Sequence, residues 1–248
     1  MNLVLLEPSE IGADGRAVLS DARAAHLRDV LKVKPGSTVR IGALDGPRGT
    51  AVVENADAAA VVLTCELEGD APPHPRVDLL LALPRPKVMR RLWAQLAAVG
   101  VGRIILANAY KVERVYFDTH WLGPETYRPL LIEGLQQAQD TRLPEVTIHR
   151  QLKVLVEDEL DALCPGALRL LADPGATQRI GGLAAPGPSA RVLLAVGPEG
   201  GWTEYERKLQ QDHGFRAVGI GARSLRSDTA CIALLAVIHE WLRGAAPA

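Results

Sequence analysis

From residue 77 onward the chain alternates short apolar runs with longer stretches of helical periodicity, and this alternation narrows the available folds more than any other feature. The runs at Val77 to Leu83, Ile104 to Ala107, Leu168 to Ala172, Val192 to Val196 and Ala217 to Ile220 read as strands, with helical patterns near 86–99, 123–139, 203–213 and 227–243 between them. Strands connected through helices pair in parallel, because a parallel pair needs a crossover of a dozen or more residues. Helices then cover both faces of the sheet, which is why the strands are apolar throughout rather than alternating. The expectation is an α/β chain with a mostly parallel sheet. Upstream, the stretch from Gly69 to Pro75 holds three prolines in seven residues and can continue neither helix nor ladder. It places a linker at 71–76, between a domain of residues 1–70 and one of residues 77–248. In the first, β-rich runs at Val39 to Ile41, Gly49 to Val53 and Ala60 to Leu67 with one capped amphipathic helix over Ser20 to Leu31 suggest a small β-barrel-like domain.

Charge is balanced overall but not locally. The 28 Lys and Arg against 29 Asp and Glu leave a formal charge of -1 over 248 residues, which excludes a chain that coats polyanions by net charge alone. Yet Arg85, Lys87, Arg90, Arg91, Arg103, Lys111 and Arg114 stand against Glu113 alone, a local +6. A second group, Arg16, Arg23, Arg28, Lys32, Lys34 and Arg40, lies in the first domain. Such patches attract phosphate backbones, or else form solvated faces. Three cysteines, Cys65, Cys164 and Cys231, are far apart and in no CxxC spacing, and six histidines show no HxH or HExxH pattern. Neither a disulfide framework nor a metal site is indicated, and the cysteines read as small buried residues. The N-terminal residues lack the pattern of a secretory signal, and the apolar run from Cys231 to Ile238 is far short of a membrane span. A soluble, cytoplasmic protein is expected.

In an open α/β sheet, ligands bind beyond the carboxyl ends of the strands. Two loops there stand out. Gly197-Pro198-Glu199-Gly200-Gly201 bends sharply and presents backbone groups without Cβ obstruction; it reads equally as a plain strand-to-helix turn with Thr203 as cap and Glu206 completing a capping box. It is neither a P-loop nor a GxGxxG fingerprint. The second loop, Gly221 to Ala230, brings Arg223, Ser224, Arg226, Ser227 and Asp228 to the mouth of the last helix, where unpaired N–H groups suit an anionic or hydrogen-bonding substrate. Capping by Ser227 accounts for part of it and leaves both arginines unexplained.

Together, GPEGG at 197–201 and IGARSLRSDTA at 220–230 resemble the signature GPEGG followed by LGxRILRxETA of the RsmE-type 16S ribosomal RNA uridine-N3 methyltransferases, members of the SPOUT superfamily. The resemblance covers nearly the whole chain. His26-Leu27-Arg28-Asp29-Val30-Leu31-Lys32 is similar to the family's HxxxVLR, Leu83 to Lys87 to the opening of its catalytic domain, Val99-Gly100-Val101 to ELGV, and Gln137 to Pro144 to EQSxRxxLP. The chain departs from the pattern at Ser224, Asp228, Lys32 and Asp140.

The resemblance implies a trefoil-knotted, mostly parallel SPOUT sheet, an N-terminal PUA-like β-barrel, S-adenosylmethionine as cofactor, and a homodimer with the last helix and cofactor loops at the interface. It implies that Leu171, Ala172, Val196, Gly197, Glu199, Gly200, Gly201, Ile220, Gly221, Leu225, Thr229 and Ala230 hold the cofactor. It assigns catalysis to Arg226, Arg223 and Asp228, and RNA binding to His26, Arg28, Lys32, Arg85, Lys87 and Arg142, with 16S rRNA, assembled or naked, as substrate. Asp228 and Glu199 are the nearest carboxylates to serve as a base, and the choice between them stays open. So do two other readings: a SPOUT enzyme acting on another base or a ribose, and an inert RNA-binding protein that keeps the glycine loops as scaffold.

Overall fold

The computed structural model describes residues 3–244 apart from 185, 188 and 222. Residues 1–2 and 245–248 of the two expected domains, and Ala222 of the second loop, lie outside the described residues. The chain gathers into two compact units: the stretch up to His74 together with Leu131–Leu143, and Pro75–Leu130 together with the chain from Pro144 onward.

In the first unit, strands β1 (Val4–Leu6), β2 (Arg16–Leu19), β3 (Thr38–Ala43), β4 (Arg48–Ala56) and β5 (Val61–Glu68) form one curled sheet in the order β1-β3-β4-β5-β2. Only the β1–β3 pair is parallel. β2 and the first half of β3 show the alternating burial of a half-solvated sheet, and Leu6, Leu19, Leu27, Ile41, Val53 and Leu63 close the core inside the curl. The expected single helix over Ser20 to Leu31 is shorter and changes pitch. Asp21 caps α1 (Ala22–Ala25) by accepting from the Arg23 N–H, and the chain then widens into a π-helical turn over His26–Val30, where Leu31 N–H reaches back to the His26 carbonyl at 3.0 Å. The short β1 and β2 carry too few residues for their periodicity to stand out in sequence.

The second unit is built on β6 (Val77–Ala82), β7 (Arg103–Ala107), β8 (Glu145–His149), β9 (Leu168–Ala172), β10 (Val192–Val196) and β11 (Arg216–Val218), in the order β11-β9-β10-β6-β7-β8. Every pairing is parallel. Helices α2 (Pro86–Val99), α3 (Pro124–Ala138), α4 (Leu152–Val154), α5 (Leu160–Leu163), α6 (Glu204–Asp212) and α7 (Ser227–Gly244) complete the elements, with α3 passing at Leu131 into residues that belong to the first unit. β6 and β10 are central and fully buried. α2 starts at Pro86, whose missing N–H costs nothing at that position, and ends where Gly100 takes φ +88°; it buries Met89, Leu92, Trp93, Leu96 and Ala97.

Besides β1 and β2, one strand and two short helices escaped the sequence. β8 is an edge strand whose residues are mostly half-exposed or exposed, so it lacks an apolar run. α4 and α5, joined by a π-helical turn at Leu155–Glu159, are too short for a helical period to be read. One expected strand is trimmed: β11 ends at Val218, because Gly219 N–H turns to the Gln178 carbonyl at 3.0 Å, and Ile220 is thereby released into a loop. No described helix is long and apolar enough to cross a membrane.

Candidate functional site

Three strands end side by side. β10, β9 and β11 are successive neighbours, so the segments leaving them converge at one edge of the sheet. After β9, Asp173 N–H bonds the Val218 carbonyl at 3.0 Å and its carboxylate accepts from Gly175 N–H at 2.8 Å. After β10, Gly201 takes φ +68°, a conformation that favours glycine, and its N–H returns to the Pro198 carbonyl at 2.8 Å. A Cβ on Gly197 would come within 3.1 Å of the Trp202 ring, so glycine is needed there for the indole to fold under the loop.

These loops enclose a cleft of about 520 Å³. The structure brings Ala172, Val196, Gly197, Glu199, Gly200 and Gly201 to its wall from one side. Ile220, Gly221, Arg223, Leu225 and Ala230 come from the other. Two residues expected with them do not line it: Leu171 is fully buried within β9, and Thr229 is exposed with its N–H on its neighbour Asp228. Arg226 and Asp228 open instead into a smaller cavity of about 270 Å³, shared with Arg85, Val88, Glu199 and Ser227. Glu199 and Ser227 line both spaces, so the two are neighbours across these side chains.

Several contacts that hold the site together join segments too far apart in the chain to be read from the sequence. Lys111, from the loop after β7, donates to the Gly200 carbonyl at 2.7 Å. Glu206 is buried and accepts from Thr203 N–H at 2.8 Å and from Tyr110 N–H at 2.7 Å, so the expected capping box also ties the post-β7 loop to α6. Trp202 and Asp173 also line the cleft; Trp202 directly follows GPEGG, which is the one clue to it. Its Nε1–H is buried without a hydrogen-bond partner among the described residues. Asp228 pairs with Arg91 of α2 at 3.3 Å, and Glu199 accepts weakly from Arg85 N–H at 3.3 Å. Beneath the loop, burial and the Asp228 charge push the Cys231 thiol up, so it stays protonated and is no nucleophile.

The basic patches are partly spent on the protein itself. Arg103 starts β7, at the opposite end of the sheet from the cleft, and pairs with Glu145 at 2.6 Å. Arg91 and Lys111 are engaged as described, and Arg90 lies over the Trp121 ring at 5.0 Å. Arg85 and Lys87, at the start of α2, are exposed at the carboxyl end of the sheet. In the first unit Arg16 pairs with Glu54, and Arg23 with Glu10 and Asp21. Arg142 donates to the carbonyls of Pro72 and Asp45. Lys32 is exposed, Arg28 half-buried, and His26 half-buried with its Nε2 lacking a partner. Of the cysteines, Cys164 and Cys231 are buried as expected, whereas Cys65 is half-buried.

The family model of the RNA methyltransferase domain matches residues 72–239. Over 98% of its length the chain is 34% identical to ribosomal RNA small subunit methyltransferase E of Treponema pallidum, covering 94% of that protein. The chain belongs to this methyltransferase E family. A relative in Borreliella burgdorferi, ribosomal RNA small subunit methyltransferase E 1, is 25% identical over 94% of the chain and 95% of its own length. The solved Neisseria gonorrhoeae methyltransferase E bound to S-adenosyl methionine superposes with a TM-score of 0.77 at 22% identity, covering 97% of both chains. The chain thus shares the fold of that solved enzyme over nearly its whole length, a parallel α/β sheet with an N-terminal curled sheet, as the sequence resemblance implied for the α/β class and the N-terminal β-domain. As a member of this family the chain is an RNA methyltransferase.

Proposed function

We propose that this chain transfers the methyl group of S-adenosylmethionine to N3 of one uridine in 16S ribosomal RNA. The observation that carries this reading is the join at Glu199 and Ser227 between the glycine-loop cleft and the cavity holding Arg226, which puts a cofactor space and a substrate space side by side. The cleft suits the cofactor in size and chemistry: it has room for a molecule of that class and loop backbone for an adenine and ribose. Gly197, Gly200, Gly201, Ile220 and Leu225 would hold it, with Ala172, Val196, Gly221 and Ala230 as walls. When bound, the cofactor supplies a methyl group already activated on a sulfonium centre.

The protein's own work is alignment and charge. N3 of uracil must lose its proton to become nucleophilic, and the charge that develops spreads to the carbonyl oxygens. Arg226, with Arg223 in support, stabilises that charge as a fixed cation. Glu199, at the junction, is the carboxylate available to accept the proton. Asp228, already paired with Arg91, orients the first turn of α7. His26, Arg28 and Lys32 on the barrel and Arg85 and Lys87 on α2 grip phosphates, while Arg142 contributes by holding its own unit together. The working form is a cytoplasmic homodimer, a reading supported by the exposed apolar side chains of Leu225 and Val237 at the second loop and α7.

The test is incubation of labelled cofactor with small ribosomal subunits lacking the modification and with naked 16S rRNA, followed by nucleoside analysis. Label in 3-methyluridine is expected. Label in another base or a ribose would replace this reading with a different RNA methyltransferase, and absence of transfer to either substrate would sink it.

A further inference from the structure

A third hollow, of about 610 Å³, shares no lining residue with the Arg226 cavity and meets the cofactor cleft at Thr203, which lines both. Its rim carries Tyr110 and Tyr205, exposed to 84% and 61%. This is unusual spending in a chain with 4% aromatic residues and four tyrosines in all. Tyr110 is the most exposed large apolar side chain among the described residues. Three cations, Arg114, Arg150 and Lys153, share the same lining. The single carboxylate there, Glu206, is buried and already accepts from Tyr110 N–H, Thr203 N–H and the Thr203 hydroxyl. Arg150 and Lys153 face Asp118 and Glu157 at 3.4 and 3.8 Å, exposed contacts that a phosphate displaces at little cost.

We propose that this hollow is a docking groove for single-stranded RNA flanking the methylated nucleotide, with Tyr110 and Tyr205 as stacking platforms and Arg114, Arg150 and Lys153 as phosphate contacts. Exposed rings beside solvent-exposed positive charge are the combination that binds unpaired nucleotides without reading their sequence, since every base offers a face and every nucleotide a phosphate. The groove meets the cofactor cleft at Thr203, and that cleft meets the Arg226 cavity at Glu199 and Ser227, so a strand lying in it runs past the cofactor rim toward the reacting base. The inference rests on the RNA methyltransferase reading and extends it to a part of the substrate outside the catalytic cavities.

Binding, measured without turnover, separates the two. Fluorescence anisotropy with a 5′-fluorescein single-stranded RNA of mixed sequence is expected to show affinity falling roughly tenfold for each ring removed in Tyr110→Ala and Tyr205→Ala. Tyr110→Phe and Tyr205→Phe should retain it, a distinction that mere loss of folding would not produce. The triple variant Arg114→Ala, Arg150→Ala, Lys153→Ala should lower the salt slope by about 2, and cofactor affinity should stay unchanged throughout. Wild-type RNA affinity in the folded Tyr110→Ala/Tyr205→Ala double variant would overturn the proposal, as would a change in oligomeric state that accounts for the loss. If methylation of 16S rRNA fails while these binding differences hold, the function reading falls and the groove stands.

Discussion

Arg226 illustrates how much hangs on one side chain in this fold. It lines the smaller cavity, beside Asp228 and Glu199, and takes no part in the wall of the cofactor cleft. Its truncation therefore separates two properties: Arg226→Ala should leave cofactor affinity by calorimetry unchanged while lowering the rate of methyl transfer by about 100-fold, the usual loss for one preorganised charge stabiliser. Equal loss of both would contradict its role. His239, on α7, makes a prediction about pH. Its ring lies against Gly100, and burial, with Arg243 adding, holds its pKa below the ordinary 6.5. The unfolded chain thus takes up a proton there before the folded one does, so stability contributed by the neutral ring is present above about 6.5 and is lost as pH falls toward the folded value. Urea midpoints should drop more between pH 7 and about 5.5 in the wild type than in His239→Gln; equal drops would place the acid sensitivity elsewhere. The placing of Arg223, Arg226 and the glycines on two adjoining cavities was open to sequence reasoning in so far as their motifs are contiguous. The bonds of Lys111 to the Gly200 carbonyl and of Tyr110 N–H to Glu206 were not, because each joins segments some 90 residues apart in the chain; of Glu206 only the capping box with Thr203 was legible.

At the scale of elements, β6 carries the clearest liability and its remedy. A strand of six buried residues contains Asp78, at 0% exposure, paired with Arg191 at 2.6 Å and close to Cys164, whose thiol burial pushes up to about 11. A buried carboxylate of this kind is tolerated only with its partner in place. Asp78→Asn should cost about 3 kcal/mol in urea unfolding, the order expected when one member of a buried pair is removed; a change below about 0.5 kcal/mol would show that Arg191 finds full compensation in water. The long strands and helices were legible because their periodicity spans enough residues to be read. The end of β11 was not, since the hydrogen bond that stops it comes from Gln178, distant in sequence, and that bond is what makes Ile220 a wall of the cleft rather than a strand residue.

At the scale of the whole molecule, the charge of -1 and the +6 segment look different once partners are known. Arg16, Arg23, Arg91, Arg103 and Lys111 are held by carboxylates or carbonyls of the protein, whereas on the proposed reading Arg28, Lys32, Arg85, Lys87 and Arg114 would meet phosphates, with Arg150 and Lys153 once a phosphate displaces Asp118 and Glu157. Binding of 16S rRNA fragments should then weaken with salt with a log–log slope of magnitude about 5, measured by filter binding across a salt series. A magnitude above about 10 would require cations now counted as internal. The amino-acid sequence by itself determined the α/β class, the parallel sheet, the proline-rich break and the two loops, because these depend on local periodicity, turn chemistry and contiguous motifs. Only the tertiary structure decided which cations are held internally, that Arg226 and Asp228 face a different cavity from the glycines, and that Tyr110 of a loop and Tyr205 of α6 share one rim. Those are matters of which distant segments meet, and meeting is fixed by strand order and by hydrogen bonds between residues far apart in the chain.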